Sequence, residues 1–142
     1  MSPVQLALNV NDLDESVEFY SRLFGTSPAK VREGYANFVV QQPSLKLVLM
    51  ENPGEGGTLN HLGVEVETVD IVDSEQRRLS ESGLASRDER DTTCCYAKQD
   101  KFWVEGAPDG ERWEIYTVLA DSAAFSADDC ADAEAAGTIC CA

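Results

Sequence analysis

The chain has a single histidine and only 11 basic residues against 26 acidic ones, a formal charge of −15 over 142 residues. A field of that sign repels phosphate backbones and anionic headgroups, so neither nucleic acid nor a membrane surface is an expected partner. No apolar run is long enough to span a bilayer, and the opening MSPVQLALNVND lacks the basic and apolar stretches of a leader. The expected compartment is therefore the cytoplasm. A disordered composition is also excluded, because 43% of the residues are hydrophobic and can fill one compact domain. Five cysteines in such a chain read as reduced thiols, not as a disulfide framework.

What is present is, first, an internal repeat. The segment VQLALNV from Val4 aligns without gaps on NHLGVEV from Asn60, so that Gln5 meets His61, Leu6 meets Leu62, Leu8 meets Val64 and Val10 meets Val66. Each copy alternates as a half-buried strand does. Val4, Leu6, Leu8 and Val10 share one face and Gln5, Ala7 and Asn9 the other; His61, Gly63 and Glu65 repeat the second face.

A helix follows each strand. Asp12 can cap the first, with Glu15 three residues on, and Leu13, Val17, Tyr20 and Phe24 recur at helical spacing before Gly25. Asp70 is the expected cap of the second, Leu79 lies on its apolar stripe and Gly83 ends it. Strand-like runs complete the halves at 35–40, 45–50, 102–104 and 113–118, and the Pro/Gly-rich ENPGEGGTLN joins them. The order is βαβββ twice, an α+β fold. Its modules span about 1–52 and 60–120 of a domain covering 1–120, and 121–142 form an acidic, cysteine-containing flexible tail. The tail cysteines Cys130, Cys140 and Cys141 can pass arsenic toward Cys94 and Cys95, scavenge soft metals, or be dispensable.

Three residues carry metal-type chemistry. His61 sits at the inward polar position of its strand, Gln5 at the repeat-equivalent position, and Glu114 lies between Trp113 and Ile115 on a late strand. A mononuclear metal enzyme needs few ligands on one face, with positions left open. Each of the three also fits hydrogen-bonded structure, and the spacing alone leaves both uses open.

The adjacent Cys94 and Cys95 form the second signal. Neighbouring cysteines are poor disulfide partners, because closing their ring strains the peptide between them. In a loop both sulfurs can turn to one soft centre such as trivalent arsenic, Cd(II) or Zn(II). Thr92 and Thr93 before them, with Lys98 and Lys101 after, predict a polar mobile loop whose cations favour thiolate.

Paired βαβββ modules with polar positions on matching first strands resemble the vicinal oxygen chelate superfamily (glyoxalases, extradiol dioxygenases and bleomycin-resistance proteins). Within it NHLGVEV, TTCCYAKQDKFWV and GERWEIYTVLADS resemble the ArsI-type carbon–arsenic lyases and the related cadmium-induced CadI proteins. The resemblance implies a glyoxalase-like arrangement with Gln5, His61 and Glu114 as ligands of Fe(II), and Cys94 and Cys95 holding a trivalent organoarsenical. It implies Lys101 or Lys98 closing over substrate, Tyr96 lining the pocket, O2 as co-substrate and arsenite as product, in a monomer or homodimer. Two other activities remain open: sequestration of cadmium or arsenite by the same thiols, and a glutathione-linked isomerase or transferase reaction.

Overall fold

The repeat folds as the same element order twice. The computed structural model describes residues 3–125. Its first half runs β1 (Val4–Val10), α1 (Leu13–Phe24), β2 (Lys30–Arg32), β3 (Tyr35–Val40) and β4 (Leu45–Glu51). The second runs β5 (Leu59–Glu65), α2 (Val69–Glu81), β6 (Ser86–Cys94), β7 (Ala97–Val104) and β8 (Trp113–Asp121). The α+β fold of two βαβββ modules is thus present. The division into two compact units falls inside β5, between Leu62 and Gly63, not in the expected linker. Thr58 and His61 explain this, since the first bonds to Asn9 and the second to Gln5 of β1. No described helix is long and apolar enough to cross a membrane.

In the first unit the strand order is β2-β3-β4-β1, with β1 parallel to β4 and the other pairs antiparallel. Asp12 accepts the Glu15 N–H at 3.0 Å at the start of α1, and Gly25 ends that helix in the left-handed region at φ 63°, as the sequence predicts. Leu13, Val17, Tyr20 and Phe24 turn toward a core of Val10, Ala36, Phe38, Val40, Leu47 and Leu49. The opposite, polar face of β1 is the more deeply covered: Gln5, Ala7 and Asn9 are buried while Val4 is exposed. Buried amides need partners, and the site supplies them.

In the second unit β7 lies between β6 and β8, both antiparallel to it. Helix α2 is capped by Thr68, whose side chain accepts the Ile71 N–H, and not by Asp70. Asp70 lies inside the first turn instead, where its charge still favours the helix dipole. Phe102, Val66 and Val72 make the core on the helix side, with Leu79, Val104 and Ile115 packed on them.

Strand β6, read SRDERDTTC, has no aliphatic residue and escaped the alternation test. Its hold is polar: Arg90 pairs with Asp73 at 2.8 Å and bonds Gln76, which in turn bonds Ser86 and Asp88. The expected mobile loop at 92–101 is a correction. Thr92, Thr93 and Cys94 complete β6, Lys98 and Lys101 lie on β7, and only Cys95 and Tyr96 form the turn. Strand β8 continues to Asp121, and Ser122–Phe125 return to the turn through Ser122 N–H to Tyr96 O (2.9 Å) and Cys95 N–H to Phe125 O (2.6 Å). Cys130, Cys140 and Cys141 lie outside the described residues.

Candidate metal and thiol sites

The buried face of β1 and the front of β5 carry one connected chain of amides. Asn60 Nδ2 donates to Asn9 Oδ1 at 2.9 Å, and Asn9 Nδ2 donates to Thr58 Oγ1 at 2.9 Å. Asn52 Nδ2 also donates to Asn9 Oδ1, at 2.7 Å. This fixes which end of Asn60 faces His61: its Oδ1 lies 2.7 Å from Nδ1, so Nδ1 carries the proton. His61 Nε2 is then a lone-pair donor, and the Gln5 Nε2–H fills it at 3.0 Å. An imidazole with Nδ1–H tied to a carbonyl and its lone pair on Nε2 is the form in which histidine binds metals.

The donor chemistry here fits a divalent cation. His61 is 1% exposed and Gln5 4%, and a half-turn of the Gln5 amide replaces its N–H donor by its oxygen. Asn60 and Asn9 support His61 from positions that the strand spacing alone does not mark as functional. The signal available was two asparagines on the polar face of matching strands, beside the candidate ligands.

Glu114 is the second residue of β8, 2% exposed, and its Oε2 accepts from Lys101 Nζ at 2.9 Å. Lys101 is fully buried. A carboxylate at such depth requires a compensating charge, and Lys101 supplies it. Lys101 is therefore placed as a buried ion-pair partner, not on a closing loop. Lys98 is half exposed and pairs with Asp91 at 3.2 Å. Among the described residues no three His, Cys, Asp or Glu side chains cluster around a common metal position. Gln5, His61 and Glu114 include only two such residue types, so that ligand set depends on an amide as its third donor.

The register of the second unit decides which side chains share the Glu114 face. Trp103 pairs with Arg87 on one side and Glu114 on the other, and Lys101 pairs with Glu89 and Tyr116. Directly opposed residues point to the same side, so these six line one face. Beyond Glu89 the β6 register shifts: Thr92 pairs with Gln99, so Arg90 and Asp91 together oppose Asp100. Asp91 takes φ 49°, and its N–H bonds Asp100 Oδ1 at 2.6 Å. That β-bulge changes the phase of everything after it. Without it residues 93 and 95 would face Glu114; with it Thr92 and Cys94 do.

The turn itself places Cys95 and Tyr96 at φ 55° and 62°, two left-handed residues between the paired Cys94 and Ala97. This is the backbone of a type I′ hairpin, where Asn-Gly is the favoured occupant. The Cys94 and Cys95 sulfurs lie 3.0 Å apart, in contact and beyond the ~2.05 Å of a covalent bond. Cys94 is fully buried, and Gln99 Nε2 donates to its carbonyl at 3.1 Å. Tyr96 meets the Phe125 ring edge-on at 5.5 Å. Six residues of β7 separate the Ala97 row from the Trp103 row, roughly 20 Å at strand rise. Cys94 thus shares a sheet face with Glu114 but lies at its far end, with Cys95 in the turn beyond it.

A small cavity of about 230 Å³ lies at the near end, lined by Arg87, Trp103, Arg112 and the loop 104–111. Arg112 stands 5.0 Å over the Trp103 ring. Partial burial lowers its pKa, the charge of Glu114 opposes that, and the like charge of Arg87 adds to it. The guanidinium stays protonated throughout.

With this geometry described, the class can be stated. The chain belongs to the Glyoxalase/Bleomycin resistance protein/Dioxygenase superfamily, whose model matches residues 2–115. Its fold resembles the Mn(II)-bound glyoxalase from Novosphingobium aromaticivorans, with a TM-score of 0.60 at 18% identity, covering 86% of this chain and 42% of that one. More specifically, it is 60% identical over 133 residues to a trivalent organoarsenical cleaving enzyme from Thermomonospora curvata, covering 92% of this chain and 87% of the relative. It is 59% identical over 145 residues to the cadmium-induced protein CadI of Mycobacterium tuberculosis, covering 99% and 93%.

Proposed function

We propose that the protein is a cytoplasmic Fe(II)- and O2-dependent lyase that cleaves the carbon–arsenic bond of trivalent organoarsenicals. The observation that carries this reading is the contact of the Cys94 and Cys95 sulfurs at 3.0 Å in an ordered turn. Two thiolates so placed chelate one arsenic atom, and the second bond forms at high effective concentration. Relatives that share most of this chain are named for cleaving such compounds.

Gln5, His61 and Glu114 are the proposed metal ligands, and Fe(II) would supply the activation of O2 beside the substrate carbon. Asn60 holds the His61 proton on Nδ1 and keeps Nε2 available. Lys101 holds Glu114 ionised and fixed. The thiols hold arsenic trivalent while carbon is oxidised, and the hairpin tip must approach Glu114 for the two to meet. For methylarsonous acid the balance closes with one O2, yielding arsenous acid and formaldehyde.

Iron-loaded protein given methylarsonous acid should release arsenite in air and none anaerobically. Cys94→Ser with Cys95→Ser should lower turnover at least about 100-fold, the loss of chelation. Arsenite release that ignores oxygen, or survives loss of both thiols, rejects the reading. A second reading is sequestration of Cd(II) or arsenite without turnover, favoured by the likeness to CadI. Stoichiometric binding with no arsenite release under any condition would establish it instead.

A further inference from the structure

The cavity beside Glu114 has features that the reaction above does not use. Arg112 is half-buried, yet among the described residues it forms no hydrogen bond or ion pair, and neither does Arg87. That is unusual in a chain with 26 acids and 11 bases. Arg87 is exposed, whereas the other bases drawn inward with Arg112 are satisfied: Lys101 by Glu114, and Arg90 by Asp73 and Asp88. Glu105 and Glu111 line the same cavity without closing on either guanidinium. Arg112 stands over the Trp103 indole and the exposed Arg87 lines the same cavity, so an anion seated there can be shared by both guanidiniums.

We propose that this cavity is a carboxylate-recognition subsite, which takes the acidic substituent of an aryl arsenical or a small aryl acid. The size agrees: about 230 Å³ is below the roughly 300–1,000 Å³ of pockets that enclose whole drug-sized ligands, so one substituted ring end fits. The charge agrees as well. Two arginines attract a carboxylate, while Glu105 and Glu111 on the wall and the charges of Glu114 and Glu89 acting on Arg112 repel a dianion, so a monocarboxylate is preferred over phosphate. Trp103 and Glu114 are register partners, and the subsite therefore adjoins the proposed metal ligand. The assignment of the arsenical as the physiological ligand rests on the lyase reading; the carboxylate site itself does not.

The test is calorimetric titration of the full, metal-free chain with benzoate, with benzamide as its neutral counterpart and inorganic phosphate as a dianion. Benzoate should saturate a single site, with benzamide and phosphate weaker by about tenfold or more. Arg112→Gln should weaken benzoate about tenfold, Arg112→Lys less because charge survives without the fork, and Arg87→Gln least. Absence of benzoate binding, equal affinity for benzamide or phosphate, or an unchanged dissociation constant in both Arg112 variants would overturn the subsite.

A second arm compares kcat/KM for 4-carboxyphenylarsonous acid with that for phenylarsonous acid. The ratio should fall about tenfold in Arg112→Gln, and an unchanged ratio rejects the link to arsenicals. If the unsubstituted protein cleaves no arsenical at all, the lyase reading fails, while the benzoate titration still decides the subsite.

Discussion

The two modules share an element order but solve the burial of polar groups in opposite ways. The first compact unit, which takes in Asn60 and His61 at the start of β5, surrounds His61 with neutral amides, Gln5, Asn60 and Asn9, each donating in sequence. The second buries full charges, Lys101 against Glu114, and ties β6 to its helix by Arg90. Neutral chains set proton positions and lose little when one link goes; a buried ion pair is costly to form and costlier to halve. One module is built to fix a tautomer, the other to hold a charge.

The comparison can be broken at the β6 bulge first. Deleting Asp91 removes the extra residue and leaves Thr92 and Cys94 in phase with Glu89 on the Glu114 face, whereas Cys94→Ser removes the thiol that this face presents. Arsenical turnover should drop by about two orders of magnitude in Cys94→Ser and survive in the deletion variant, with the far-ultraviolet circular dichroism retained in both. Equal losses in the two variants would refute the phase assignment.

The ion pair comes next. Lys101→Met strands a buried carboxylate and should destabilise the protein by about 3–5 kcal/mol, whereas Lys101→Met with Glu114→Met should recover most of that in urea unfolding. Equal losses in single and double variants would mean the pair is not what Glu114 depends on.

In the first unit Asn60→Ala should cost metal affinity, about tenfold to a hundredfold, with little change in stability. Competitive titration of the metal against a chelator measures it, and an unaltered affinity would remove Asn60 from the support of His61. Gly25→Ala is the smallest change. No atom lies within 4 Å of the added Cβ, so only the left-handed backbone at φ 63° resists, about 1 kcal/mol in a melt.

The amide-rich module was more legible in the sequence than the charged one, for a physical reason. Alternation in VQLALNV and the Asp12-to-Gly25 frame are local, and both appear where the spacing put them. Strand β6 buries no aliphatic side chain, so its pairing is decided by neighbours distant in sequence. The candidate residues themselves could be named from the repeat and the thiol pair. Their environment could not: a lysine flanked by Asp100 and Phe102 gives no hint of full burial, and a one-residue register shift leaves no mark in composition. Thr68 displaced Asp70 as the helix cap because either can serve and the chain's exit from β5 chooses between them.

The turn at Cys95 and Tyr96 has a consequence for how such a protein can change. Both residues adopt a backbone that L-amino acids with a Cβ resist by about 1–2 kcal/mol, and Asn-Gly would adopt it freely. The sturdiest version of this hairpin is therefore one that has lost its chemistry. Screens for thermal robustness alone will favour erasing the second sulfur, and variants recovered from them should be inert toward soft elements.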